Sequence, residues 1–254
     1  MEPIQFQSAK LKLRRAYHHF NELQVLLKDF FSTKAFFSVS CEAAGDLYVL
    51  KVKTGPDELP IEASLMLGDI IHNIRTAYDH MVISRTQMVG EIAFPIAKTL
   101  SDLILSNKNY LEIKNKFPDF ADCIVRDFEP FQGGRLLIWE ITQLDNLDKH
   151  NLLIPTVGVT QISDFKAKTA GGLEISNETI VFKLGQTVGH VALGAPLTIT
   201  DKGKAIGTLL FGNSVLEGRE ILLTLKDCIH SAIKAVNALE LLCYGNISDP
   251  NTLK

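Results

Sequence analysis

The chain has 254 residues, 46 % of them hydrophobic, with 26 basic against 29 acidic side chains and a formal charge of −3. That is ample apolar material for a core but no global positive field, so any RNA contact must be local and DNA is not an expected partner. The opening residues MEPIQFQSAKLKLRR lack the order of a secretory signal, and no apolar run reaches the roughly 18 residues of a membrane helix, so a cytoplasmic protein with no membrane partner is expected.

Residues 5 to 33 place Leu13, Tyr17, Phe20, Leu23, Leu27 and Phe30 at steps of three and four, the apolar stripe of a long amphipathic helix. The segment 36 to 53 reads as a β-hairpin around Ala44-Gly45-Asp46, rich in aromatic and β-branched residues. Past Gly55-Pro56 and Pro60, the stripe Leu67, Ile70, Ile71, Ile74, Tyr78 and Met81 predicts a second long helix over about 61 to 88, ended by Gly90. Between 94 and 133, short helical pieces broken by Pro95, Pro118 and Pro130 predict a winding connection closed by Gly133-Gly134. A third helix follows over about 135 to 149.

From 152 to 224, β-branched runs separated by Gly, Asn and Asp predict an antiparallel sheet of about five to seven strands. GTLLFG and EILLTL are among those runs, whereas Gly189-His190 reads as a strand end or loop. A last helix over about 225 to 243 carries Ile229, Ile233, Val236, Leu239 and Leu242. The expected fold is therefore α+β, with four principal helices in one domain over 1–254. Its helical part is 1–151 and 225–244, and the sheet subregion is 152–224. Cys41, Cys123, Cys228 and Cys243 are scattered with no CxxC pair, which fits reduced thiols better than a disulfide framework.

Two polar clusters interrupt apolar helical segments. GDIIHNIRTAYDH contains no Lys, Glu or Gln, the usual residues of a solvated face, and relies on groups that hydrogen-bond with defined direction. At about 100° per residue, His72, Arg75, Thr76 and Asp79 lie opposite Ile74, while Asn73 and His80 share a flank. Arg75 and Asp79, at i and i+4, can pair along the helix. The third helix carries LDNLDKHNLL, with Asp145 and Asp148 beside its stripe and His150 four residues after Asn146. Asp145 is placed where it can face Arg75 from a neighbouring helix.

The spacing Arg75-x4-His80 resembles the Arg-x4-6-His signature of the HEPN superfamily, helical proteins many of which are dimeric, metal-independent ribonucleases. The resemblance implies that Arg75 stabilises charge on a scissile phosphate and His80 moves protons at the ribose 2′-hydroxyl, without a cofactor. His72, Asn73, Asp79, Asp145, Asp148 and His150 would support them. Five residues turn a helix by about 140°, so Arg75 and His80 converge only in a distorted helix or across a second subunit. Four ordered blocks, HNIRTAYDH, FPI at 94 to 96, FEPFQ at 128 to 132 and IWEITQLDNLDKHNLL, are also similar to a bacterial protein family. That family carries HNLRxxLDH, FPI, an LQPY-like piece and LWxLxxLDNxDKHR. This second resemblance implies no activity, and Asn151 stands where the family has a basic residue.

Two other readings fit the same residues. In one, the chain is a non-enzymatic interaction module that dimerises or holds a partner through apolar surface such as Phe30, Phe31, Phe36 and Phe37, with the clusters as register locks. In the other, a hydrolase binds zinc or manganese through His72, Asp79, His80, Asp145, Asp148 and His150, although HExxH and HxH are absent. Neither a Gly-rich phosphate loop nor a G-x-S-x-G elbow occurs.

Overall fold

The computed structural model describes residues 6–32, 37–44, 47–54, 59–151, 153–154, 156–169, 171–183, 187–193, 197–201 and 203–245. Phe36 and the turn residues Gly45, Asp46, Gly55 and Pro56 lie outside that set. The architecture is mixed α+β, with helices that pack on one another and small antiparallel sheets.

The long helices are α1 (Gln7–Phe31), α2 (Ile61–Thr86), α6 (Ile138–Asn151) and α7 (Ile221–Tyr244). Between α2 and α6 run the short α3 (Leu100–Ser106), α4 (Lys108–Lys116) and α5 (Pro118–Cys123), the last continuing into a π-helical turn, Ile124–Phe128. Helix α2 is the hub, packed against α1, α6 and α7. Its stripe is fully buried at Leu67, Ile70, Ile71, Ile74, Tyr78 and Met81, and it meets Leu13, Phe20 and Leu23 of α1 and Leu225, Ile229 and Val236 of α7 in one hydrophobic core. Burying such side chains is worth roughly 1.5–3 kcal/mol each, so the apolar periodicity that predicted these helices is also what joins them.

The strands form two sheets, and one strand of the 152–224 region leaves the expected sheet to join the N-terminal hairpin. Hairpin β1 (Phe37–Ala44) and β2 (Leu47–Thr54) pairs with β5 (Thr187–Leu193), in the order β1-β2-β5. The segment read as a strand end at Gly189-His190 therefore lies inside a strand, opposite Lys51 and Leu50. Its hydrogen-bond partner is some 140 residues away, which local pattern cannot reveal. In the second sheet β3 (Thr156–Thr169) has β4 (Glu174–Lys183) on one side and, in succession, β7 (Lys204–Phe211) and β6 (Leu197–Asp201) on the other. Phe165 and Ala167 are buried while Lys166 and Lys168 are exposed, the alternation of a sheet with one face covered.

A further correction concerns EILLTL, which forms the first turn of α7 instead of a strand. Ile221, Thr224, Leu225, Cys228 and Ile229 are buried at helical spacing. A six-residue apolar run carries too little periodicity to separate the two forms. The sheet seats on α1 through Gly207: a Cβ there would stand 1.9 Å from the Phe31 ring, so only glycine admits the contact.

Candidate functional site

The four sequence blocks converge around α2. Asp79 Oδ1 accepts the backbone N–H of Phe94 at 2.8 Å, which ties the FPI segment to the helix. The Phe94 ring then packs on Tyr78 and Phe128, with centroids 5.2 and 5.6 Å away. The backbones of 97–98 and 130–132 bond to each other, Ala97 N–H to Pro130 O and Gln132 N–H to Lys98 O, which brings the FEPFQ segment alongside FPI. Gly134 turns the chain into α6 where a Cβ would collide with Glu129 O, and the buried Glu140 accepts the Gly133 N–H at 2.8 Å. These contacts fix α6 beside α2.

On α2 the polar residues separate into two groups. Arg75 Nη1 lies 2.7 Å from Asp79 Oδ1, the oxygen that also holds Phe94, and the guanidinium side chain is only 13 % exposed. No Nη1 hydrogen finds an acceptor in good line, so the contact is an ion pair held by charge and proximity more than a directed hydrogen bond. Asn73, also buried, donates to Asp69 O one turn back. These groups are largely turned into the fold, with Asp79 keeping 29 % of its side chain exposed.

The other group spans α2 and α6. His72 Nδ1 lies 3.0 Å from Asp145 Oδ1; the imidazole is 45 % exposed and the carboxylate 4 %. Lys149, four residues after Asp145, binds its second oxygen, and the Thr76 hydroxyl lies 3.4 Å from His72 Nε2. Asp148 packs its carboxylate against Gly68, where a Cβ would come within 2.6 Å. Burial holds the Asp148 carboxyl above the usual carboxylate range, and the neighbouring Asp145 and Asp69 add to the effect. A buried carboxylate that orients an accessible imidazole is an arrangement suited to proton transfer.

Of the partners open to Asp145 in the sequence, Arg75 is not the one it takes: its partners are His72 and Lys149. Among the described residues His80 forms no ion pair or side-chain hydrogen bond with either group, although Asp79 is near enough to act on its charge. Burial pushes its imidazole below the ordinary histidine range, Lys12 of α1 pushes it further, and Asp79 opposes them. His150 is exposed in the last turn of α6. Lys149, Gly68 and the Phe94 N–H escaped the sequence reading. Lys149 alone left a signal, its i, i+4 spacing from Asp145.

Asp69, Asp79, Asp145 and Asp148 outnumber the permanent cations Arg75 and Lys149, so this surface offers no surplus positive charge to a polyanion. Among the described residues, no three His, Cys, Asp or Glu side chains gather in a way that could hold a metal ion. No described helix is long and apolar enough to cross a membrane. Comparison with protein-family models, curated proteins and solved structures finds no match for the chain.

Proposed function

We propose that this chain is a helical interaction module, which dimerises or holds a partner through its outer helical faces and uses its two polar clusters as internal register locks. One observation carries the reading: the ionic groups of the clusters are spent on the fold itself, Arg75 on Asp79, Asp79 on the Phe94 backbone, and Asp145 on His72 and Lys149. A half-buried ion pair anchored to backbone specifies which segments meet, the role best attested for such pairs. Outer faces remain for a partner, since Val25 on α1, Ile61 and Leu65 on α2, and Leu241 and Leu242 on α7 each expose half or more of their surface.

A second reading, a dimeric HEPN-like endoribonuclease, is favoured by the accessible His72 imidazole on a buried carboxylate. In it His72 would move protons, and Arg75 and His80 would need residues of a second copy to complete a site. One experiment separates the two. The protein is incubated with single-stranded and structured RNA in EDTA, and urea unfolding is followed for Arg75→Ala, His72→Ala and His80→Ala. The module reading expects intact RNA and a clear loss of stability in Arg75→Ala. Cleavage by the wild type that disappears in variants of unchanged stability would overturn it in favour of the nuclease.

A further inference from the structure

The second half of α7, together with α5 and the π-helical turn, lines two adjoining hollows, of about 590 and 460 Å³. They share Cys123, Arg126, Leu239 and Leu242, so they form one groove. The inner part is walled by Phe128, Leu136, Ala235 and Ala238, where small alanines leave an apolar trough. Leu242, at the junction of the two parts, is 73 % exposed, an aliphatic side chain with a largely uncovered outer side. Along α7 the lining runs from Ser231 to Tyr244, about 20 Å at the helical rise, and the stretch from Ala235 to Cys243 within it, about 12 Å, is the reach of an extended chain of roughly ten carbons.

The outer part contains a cation free to act. The Arg85 guanidinium lies 5.1 Å from the Phe117 ring centroid and 6.0 Å from that of Phe120, and among the described residues it forms no ion pair. Arg126, by contrast, is bound to both carboxylate oxygens of Asp127. Asp119 and Asp122 stand on the α5 rim, exposed. At the opposite wall burial pushes the Cys243 thiol up and Arg85 opposes it, so the guanidinium lies within electrostatic reach of that wall. An aromatic-backed guanidinium matches a carboxylate and holds its orientation. A concave hollow that joins apolar walls to a few placed charged groups is the form that small-molecule sites take, and Lys234 also lines the inner part here.

We propose that this groove binds a medium-chain carboxylate, its hydrocarbon laid over Phe128, Leu136, Ala235 and Ala238 and its carboxylate paired with Arg85. The proposal is independent of the roles assigned to the α2–α6 seam. Titration calorimetry of the full chain with decanoate below its micelle concentration tests it, with decyltrimethylammonium as a probe of equal length and opposite charge. Expected are saturable binding of one decanoate per chain and at least tenfold weaker binding of the cation. Arg85→Gln should weaken decanoate at least tenfold with an unchanged circular dichroism spectrum. Ala238→Trp, which fills the trough from an exposed position, should abolish binding. The idea is overturned by the absence of saturable decanoate binding, by equal affinity for the cation, or by decanoate binding that survives Ala238→Trp unchanged.

Discussion

The two polar groups on α2 draw on the same kinds of residue yet stand on opposite terms with water. Around Asp79 the charges face inward: a guanidinium that is 13 % exposed and a backbone N–H share one carboxylate oxygen. Around Asp145 only the carboxylate is buried, and its two partners, His72 and Lys149, are each nearly half exposed. Loss of Asp79 strands a guanidinium that is mostly buried and a backbone N–H. The second can lose its centre and let the partners rehydrate, so a similar number of contacts should have different energetic weight.

The sharpest break of this comparison is Asp79→Ala. It leaves the half-buried Arg75 uncompensated and the Phe94 N–H without its acceptor, and should lower stability by about 3 kcal/mol in urea unfolding. Arg75→Met in the same background should restore part of that loss, because an apolar stem of similar length no longer demands a partner. Asp145→Ala should cost about 1 kcal/mol, since the exposed side chains it releases return to water and the contacts they lose are largely screened. Equal losses for the two aspartates would show that the seam is as closed as the lock.

Asp148 offers a subtler contrast, because burial and two acidic neighbours raise its pKa in the fold. A carboxyl with a raised folded pKa leaves full stability at pH below its ordinary value and costs stability as the pH rises past the raised one. Asp148→Asn should therefore stabilise the protein at pH 7, by less than about 1 kcal/mol given the screening at a partly exposed site. The gain should vanish below the ordinary carboxylate range. A gain that persists in acid would mean that the charge of Asp148 is not what the fold resists.

How much of this was legible in the sequence depended on the range of the interactions. The long helices were, because their apolar stripes repeat at short spacing and are what the core buries. The Arg75–Asp79 pair was too, at i and i+4 within one helix. The partner of Asp145 was not: several polar residues on α2 face α6, and which one meets Asp145 depends on how far the helices slide, which Gly68 and Asp148 help to set. The pairing of β5 with the hairpin was hidden for the same reason. EILLTL failed for another, being too short to show its period before α7 extended it.

His80 tests whether the Arg-x4-His spacing marks a working pair. If Arg75 and His80 acted together in one chain, removing the guanidinium should change how readily the imidazole takes a proton. The charge that suppresses His80 from outside its own helix is instead Lys12, acting after burial and against Asp79. In a proton-NMR titration, Lys12→Ala should move the His80 pKa upward toward the ordinary histidine value, and Arg75→Ala, if it folds, should move it less. The sign follows from the suppression: an imidazole held below its ordinary pKa favours the fold above that value and weakens it as the pH falls below. The Lys12→Ala protein should therefore lose less stability than the wild type between neutral pH and the acid side of the histidine range. A larger response to Arg75→Ala than to Lys12→Ala would reunite the pair and return the nuclease reading to first place.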